Sequence, residues 1–302
     1  MTIKAFIDKY FAGILFVAGL IGLLVPDPGE SVSYIILAML FLIIFTSFFQ
    51  FELKKSTLRQ NLLFSLLIGL LRFVAIPVAV FYALQGLSHF WAFALAFLFL
   101  LPSGVSSPAI VSLFKGNFQL AVTIMILANL IALMTIPLFV PDWFGLHAKI
   151  SPNQLVYTLL ITILLPFLLH LPLRKKEKVV KITRNNLPFV TVICLSTINV
   201  LGVAKNKEYL LNDPMQVLYF FLINLGIYSA LFSLGWLLLP GRGNREKVAA
   251  GMESGMNNIG LGVALSIIYF TPQHTIYFIS AQFSWLFILI PLKYFIRKYF
   301  IN

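Results

Sequence analysis

Charge is scarce in this chain. Of 302 residues only 11% are Asp, Glu, Lys or Arg, and just 10 are acids. A soluble domain carries roughly 25% charged residues, so this composition excludes a water-soluble globular enzyme. It excludes a disordered chain or a collagen-like fibre as well. Cysteine is nearly absent: Cys194 stands alone, which removes an internal disulfide and a thiolate metal cluster. Alternating strand-type hydrophobicity is missing, and with it a membrane β-barrel. What is plentiful is apolar: 60% of residues are hydrophobic and the mean hydropathy is +0.95. The expectation is an all-α polytopic membrane protein embedded in a lipid bilayer.

A helix crosses the hydrocarbon core with about 20 apolar residues. Ten such runs fall at about 10–25, 32–49, 59–85, 89–115, 117–140, 153–173, 187–203, 214–239, 246–270 and 273–296. Turn residues punctuate them at Pro26-Asp27-Pro28-Gly29, Pro141-Asp142, Asp213-Pro214 and Pro240-Gly241. No small-residue cleavage site follows the first run, so it reads as a retained span. With the N-terminus inside, eighteen Lys and Arg fall on inner segments and three (Lys149, Lys205, Lys207) on outer ones; Arg72, within a run, completes the 22. Short loops rich in Lys and Arg stay cytoplasmic. This places both termini in the cytoplasm and accounts for the net charge of +12 without nucleic acid. The basic loops set orientation and touch anionic lipid.

Ten spans divide into two sets of five, 1–150 and 151–302. An odd number per set inverts the second relative to the first, a recurring basis for secondary transporters. The fourth run is broken at Leu101-Pro102-Ser103-Gly104-Val105-Ser106-Ser107-Pro108, and the ninth at Gly251-Met252-Glu253-Ser254-Gly255-Met256-Asn257-Asn258-Ile259-Gly260. These are corresponding elements, so the pattern predicts two discontinuous helices, four and nine, crossing in mid-membrane. Broken backbone is tolerated in lipid only where it is buried in protein or lines a cavity. Ser106, Ser107 and the backbone amides after Val105 offer a carboxylate a half-helix start.

Nine of the ten acids lie at span ends or in loops. Glu253 alone sits well inside, and its cationic counterpart is Arg72, about 20 Å of helix beyond Arg59. An intramembrane charge is costly, so Arg72 and Glu253 are expected to face inward and pair. Whether that pair is functional or only structural stays open. His89, His147 and His274 fall in outer loops and His170 near an inner span end; all four are expected to be solvated or interfacial.

At these residues the chain resembles the bile acid:sodium symporter family, in its bacterial ten-helix branch. Glu253-Ser254-Gly255-Met256-Asn257-Asn258 with Gly260-Leu261 is similar to the family's ninth-helix signature. Gly104-Val105-Ser106-Ser107-Pro108 with Lys115-Gly116-Asn117 resembles its fourth-helix crossover. Leu71-Arg72-Phe73-Val74-Ala75-Ile76-Pro77 resembles its third-helix segment. The resemblance runs from about residue 40 to 270. It implies a core domain of helices three to five and eight to ten, a panel domain of helices one, two, six and seven, and a multi-pass bacterial inner-membrane location. It implies a small organic anion as substrate, contacted at Ser106, Ser107, Asn258 and Ser284, with Gln282 and Trp285 nearby in a looser match.

The sodium ligands that the resemblance implies are altered. Arg72 and Asn257 stand where the family has Gln, Pro108 replaces an Asn, and Ala121 and Met125 replace hydroxyl residues. Guanidinium has donors and no acceptor. The expectation is therefore a sodium-independent member in which Arg72, Glu253 and Asn257 form a fixed counter-ion or ion-coupling group. No metal is expected, although a residual sodium site at Glu253 and Asn257 stays open, and Glu253 is the candidate proton carrier. No organic cofactor is implied. Conventional sodium coupling with degenerate sites is the alternative, and a non-transporting membrane ligand sensor is the rival from another class. Catalysis is not expected: no Asp lies inside a span and there is no His-Glu-x-x-His.

Overall fold

The structure, a computed structural model, describes residues 3–29, 31–49, 55–104, 106–144, 151–239 and 241–300. Val105, His147, Lys149 and Pro240 lie outside the described residues. The helices are α1 (Ile3–Leu24), α2 (Val32–Phe48), α3 (Lys55–Leu70), α4 (Ile76–Leu84), α5 (His89–Leu100), α6 (Ser107–Leu113), α7 (Phe118–Phe144), α8 (Pro152–Leu159), α9 (Leu165–Leu173), α10 (Glu177–Lys205), α11 (Lys207–Asn212), α12 (Pro214–Leu237), α13 (Asn244–Gly255), α14 (Ile259–Tyr269) and α15 (Pro272–Phe300). Six helices among the described residues are long and apolar enough to cross a membrane: Asn61–Leu84, Phe118–Phe144, Asn153–Leu173, Glu177–Lys205, Pro214–Leu237 and Pro272–Phe300. Four shorter apolar helices join them: Gly13–Leu24, Val32–Phe48, His89–Leu100 and Ile259–Tyr269. α1 and α2 pack along α10, α2 also meets α9, and α12 lies against both α13 and α15.

Two π-helical turns interrupt the long rods, at Leu71–Ala75 between α3 and α4 and at Leu160–Leu164 between α8 and α9. Each precedes a proline at the second position of the next helix, Pro77 and Pro166. Proline has no N–H, and its ring presses on the carbonyl four residues back. The chain adapts by widening the turn, so that the amide of Ile76 reaches Leu71 O and that of Leu165 reaches Leu160 O. Such turns often mark functional sites, and the first one carries Arg72.

The fourth and ninth runs are broken where the Pro, Gly, Ser and Asn clusters predict. α5 stops at Leu100 and α6 starts at Ser107; α13 stops at Gly255 and α14 starts at Ile259. Other expectations need correction. Pro141-Asp142 does not end a helix: α7 runs on to Phe144, its last turn pinned by Trp143 stacked 4.8 Å from Phe81 and 4.9 Å from Phe139. α10 begins at Glu177, inside what reads as a basic loop. His170 and His274 are buried at 1% and 6% exposure. His170 sits among Phe48, Phe49 and Phe167, and His274 among Phe90, Phe93 and Phe144, because aromatic rings close over both imidazoles.

Small residues set a close contact between α12 and α13. A Cβ on Gly235 of α12 would press into the Ala250 carbonyl and stand 2.6 Å from Gly251 Cα on α13. These are backbone atoms, so the helices themselves would have to part. Gly235→Ala is expected to destabilise the fold by about 1–3 kcal/mol. Thermal melting followed by fluorescence-detected size exclusion checks this, and an unchanged melting temperature refutes it.

Candidate functional site

The two breaks meet. Ser103 and Asn257 form an isolated antiparallel bridge, with Gly104 N donating to Met256 O at 2.7 Å and Asn258 N to Pro102 O at 2.7 Å. The broken segments therefore satisfy each other's backbone, as they must where water is absent. A Cβ on Gly104 would lie in ordinary contact, 3.6 Å from the carbonyl oxygens of Met256 and Asn257, so the approach is set by the backbone bonds and not by glycine.

The last carbonyls of any helix lack an intrahelical partner. At the end of α5, Phe97 O takes the Leu101 amide at 3.0 Å, Leu98 O takes the Asn257 carboxamide, and Phe99 O takes Arg72 Nη1 at 2.6 Å. At the end of α13, Met252 O takes the Met256 amide at 2.8 Å, Glu253 O takes Ser103 Oγ at 2.9 Å, and Ser254 O takes Arg72 Nε at 2.8 Å. Arg72 Nη2 donates to Asn257 Oδ1 at 2.9 Å. One fully buried guanidinium thus caps both C-terminal ends and the amide between them. Helix C-termini carry partial negative charge, which compensates a cation that would otherwise be costly to bury. The rings of Phe73 and Phe99 lie 4.9 and 5.5 Å from its central carbon.

The expected Arg72–Glu253 ion pair is not made. The guanidinium is spent on carbonyls and on Asn257, and the Glu253 carboxyl turns the other way. There Ser107 Oγ lies 2.7 Å from one of its oxygens and 2.8 Å from the other. The physical reason is geometric: Ser254 O, one residue along, already faces Arg72, while residue 253 points towards the start of α6. Glu253 and Ser107 are both fully buried. Arg72, Glu253, Asn257 and Ser107 are thus brought into one cluster, joined through helix ends rather than by opposite charges.

The other candidates fall differently. Ser106 is exposed beside the cluster and caps nothing with its hydroxyl. Asn258 is half-buried and caps α14, accepting from Leu261 N at 3.2 Å. Ser284 is turned away, donating to Phe221 O at 2.9 Å and Ser280 O at 3.0 Å, so it ties α15 to α12. Gln282 Oε1 and Trp285 Nε1 are buried without partners among the described residues. Ala121 and Met125 are fully buried and offer no oxygen side chain. The sequence reading missed Ser103 and Asn129, whose carboxamide holds Ser103 O at 3.2 Å and Met125 O at 2.9 Å. Asn129 was discoverable as a lone amide in an apolar run. As for a metal, Phe99 O, Ser254 O and Asn257 Oδ1 are hard oxygens of the kind such cations prefer, and all three already accept from Arg72.

Comparison with known proteins gives the family. The profile of the SBF-like CPA transporter family (DUF4137) matches residues 9–280, and the chain belongs to that family. This bears out the resemblance to the bile acid:sodium symporters, to which that family is related. The chain is similar to an "uncharacterized sodium-dependent transporter YocS" of Bacillus subtilis, at 30% identity over 173 residues. That match spans 57% of this chain and 53% of the relative. It is also similar to a "probable sodium/metabolite cotransporter BASS4, chloroplastic" of Arabidopsis thaliana, at 29% identity over 133 residues. Here 42% of this chain and 29% of the relative are covered. The chain thus spans about half the length of one relative and under a third of the other. Family and apolar helices together define a multi-pass membrane protein of a transporter family.

The Ser107–Glu253 contact leads to a direct test. Removing the hydroxyl takes one donor from the buried carboxyl, which costs about 1–3 kcal/mol. Ser107→Ala is expected to lower the melting temperature in wild-type protein and to have less effect in a Glu253→Gln background. Equal losses in both backgrounds would mean that the two groups do not interact.

Proposed function

We propose that the protein is a secondary transporter that moves a small organic anion by alternating access, and that it does so without sodium. The observation that carries this reading is the guanidinium of Arg72 on the carbonyl ends of both half-helices. A cation ligated by carbonyl and amide oxygens is what discontinuous helices of transporters use to bind a coupling ion. Here the cation is covalent. It cannot enter or leave with the substrate, so it organises the crossing permanently.

In this reading the chain has ten spans in two inverted repeats of five, 1–150 and 151–302, whose fourth members, α5–α6 and α13–α14, cross. Helices three to five and eight to ten form the core domain, and helices one, two, six and seven the panel. The packing of α1 and α2 on α10, and of α2 on α9, supports the panel grouping. Transport is the rocking of core against panel around the crossing, in a bacterial inner membrane with both termini inside. Ser106, exposed at the start of α6, and Asn258, half-buried at the start of α14, contact the substrate. Ser107 acts through Glu253 rather than on the anion. With sodium displaced, Glu253 is the remaining mobile charge. A carboxyl whose side-chain partners are the serine hydroxyls of Ser107 and Ser103 can take up a proton and donate it back to one of them, which makes it the coupling group.

The names of the relatives favour a second reading, sodium coupling through Glu253 and Asn257 alone. Uptake into proteoliposomes decides between them, using a panel of labelled small carboxylates with equal sodium or potassium gradients. Uptake is expected to differ by less than about twofold between the ions and to collapse with a protonophore. Stimulation by sodium of tenfold or more overturns sodium independence.

Arg72→Gln tests the covalent cation separately. It removes the charge and cannot serve all three acceptors. The variant is expected to melt lower than wild type in choline chloride and to recover when sodium replaces choline. A loss that no cation restores would count against the cation-substitute role.

A further inference from the structure

Four asparagines of this protein share one habit. Asn129, Asn186, Asn206 and Asn224 each donate a carboxamide hydrogen to the carbonyl four residues back, at 2.8–2.9 Å. Asn199 on α10 does not. It is 1% exposed, and both its Nδ2 and its Oδ1 are without a hydrogen-bond partner among the described residues. Ser196 Oγ, one turn away, is in the same condition. A buried carboxamide with neither end bonded is costly, and bonding its own helix would have relieved it.

The surroundings of Asn199 follow from helix register. Leu195 touches Gly260, where a Cβ would stand 3.2 Å from its Cδ2, and Gly202 touches Ile267, where a Cβ would stand 3.0 Å from Cδ1. Both pairs step by seven residues, so α10 and α14 run side by side over this stretch. Asn199 is four residues after Leu195 and three before Gly202, which puts all three on one face. That face lies along the half-helix that begins at Asn258, directly beyond the crossing. By the same register the α14 positions opposite it are Val263 and Ala264, which have no polar side chain to offer.

We propose that Asn199, with Ser196 beside it, is a substrate-contacting residue in the seam between α10 and α14. It is shut away in this conformation and takes a hydroxyl or carbonyl group of the transported molecule when the seam opens. The inference rests on the alternating-access reading, since α10 belongs to the panel and α14 to the core. It adds a polar, specificity-determining contact on the panel side. The carboxamide offers two donors and an acceptor oxygen, so it selects for a hydrogen-bonding substituent beyond the anionic group.

The test uses the full-length protein in proteoliposomes, with the sole cysteine removed by Cys194→Ala. Asn199→Cys is expected to react with N-ethylmaleimide, about tenfold or more slowly than Ser106→Cys, which is exposed at the start. Absence of labelling over many transport turnovers overturns the proposal, because the seam then never opens. Asn199→Leu in otherwise wild-type protein is expected to keep or raise the melting temperature and to raise the KM about tenfold for the most rapidly accumulated labelled carboxylate of the panel. Asn199→Ser should recover part of that affinity. A lowered melting temperature overturns the proposal, since it means the amide has a resident partner in the resting fold. Uptake on the same vesicles separates the two levels of argument. Accumulation with an unlabelled Asn199→Cys removes the seam contact and leaves the transporter reading intact, whereas labelling without accumulation removes the transporter reading.

Discussion

Two helices that end inside the protein leave carbonyl oxygens where no water can reach them, and the fold depends on how those oxygens are served. Each unsatisfied backbone group there costs several kcal/mol. The protein answers with Arg72, whose Nε and Nη1 reach the ends of α13 and α5, and with Asn257 and Ser103, which reach the carbonyls one residue earlier. The arrangement is reciprocal. Ser103 belongs to the first break and serves α13, while Asn257 belongs to the second and serves α5. Neither break is complete without the other.

Placing the guanidinium needs more than an arginine in an apolar run. A regular helix before Pro77 would bring its ring against the Phe73 carbonyl. The π-helical turn Leu71–Ala75 absorbs that conflict and carries Arg72 within it. Pro77 therefore contributes to the crossing without touching it. The closeness of α12 and α13 at Gly235 and Gly251 holds the other side in the same indirect way.

The positions of the breaks were legible in the sequence because glycine, proline, serine and asparagine are conspicuous among leucines and phenylalanines. The depth of Arg72 and of Glu253 was legible for the same reason. Their pairing was read wrongly because two isolated opposite charges invite an ion pair, and nothing in a linear sequence announces that main-chain carbonyls will compete for the cation. Arg72 has five N–H donors and three of its acceptors are converging helix-end and amide oxygens, which a single carboxylate cannot match in number. Pro141 misled in a similar way. Proline ends helices in water, but inside α7 neighbouring rings hold the last turn. Ser284 could not be placed from sequence at all, since its orientation depends on the crossing of α12 and α15. The orphan amide of Asn199 is visible only once the partners of every buried atom have been accounted for.

The two buried ionisable groups of the crossing are held very unequally, and the asymmetry has mechanistic content. Arg72 is bonded on three sides to atoms of the backbone and of Asn257, so its removal disturbs two helix ends at once. Glu253 is approached at its side chain by the hydroxyls of Ser107 and Ser103. A group fixed by many bonds can act only as scaffolding, because any change in its state must break all of them. A group held by hydroxyls can gain or lose a proton while its neighbours stay in place, since a serine donates to a carboxylate and accepts from a carboxylic acid equally well. In the proposed mechanism, covalent placement of the positive charge frees the negative one for coupling. An exchangeable metal ion at the same carbonyl ends would have to perform both tasks itself.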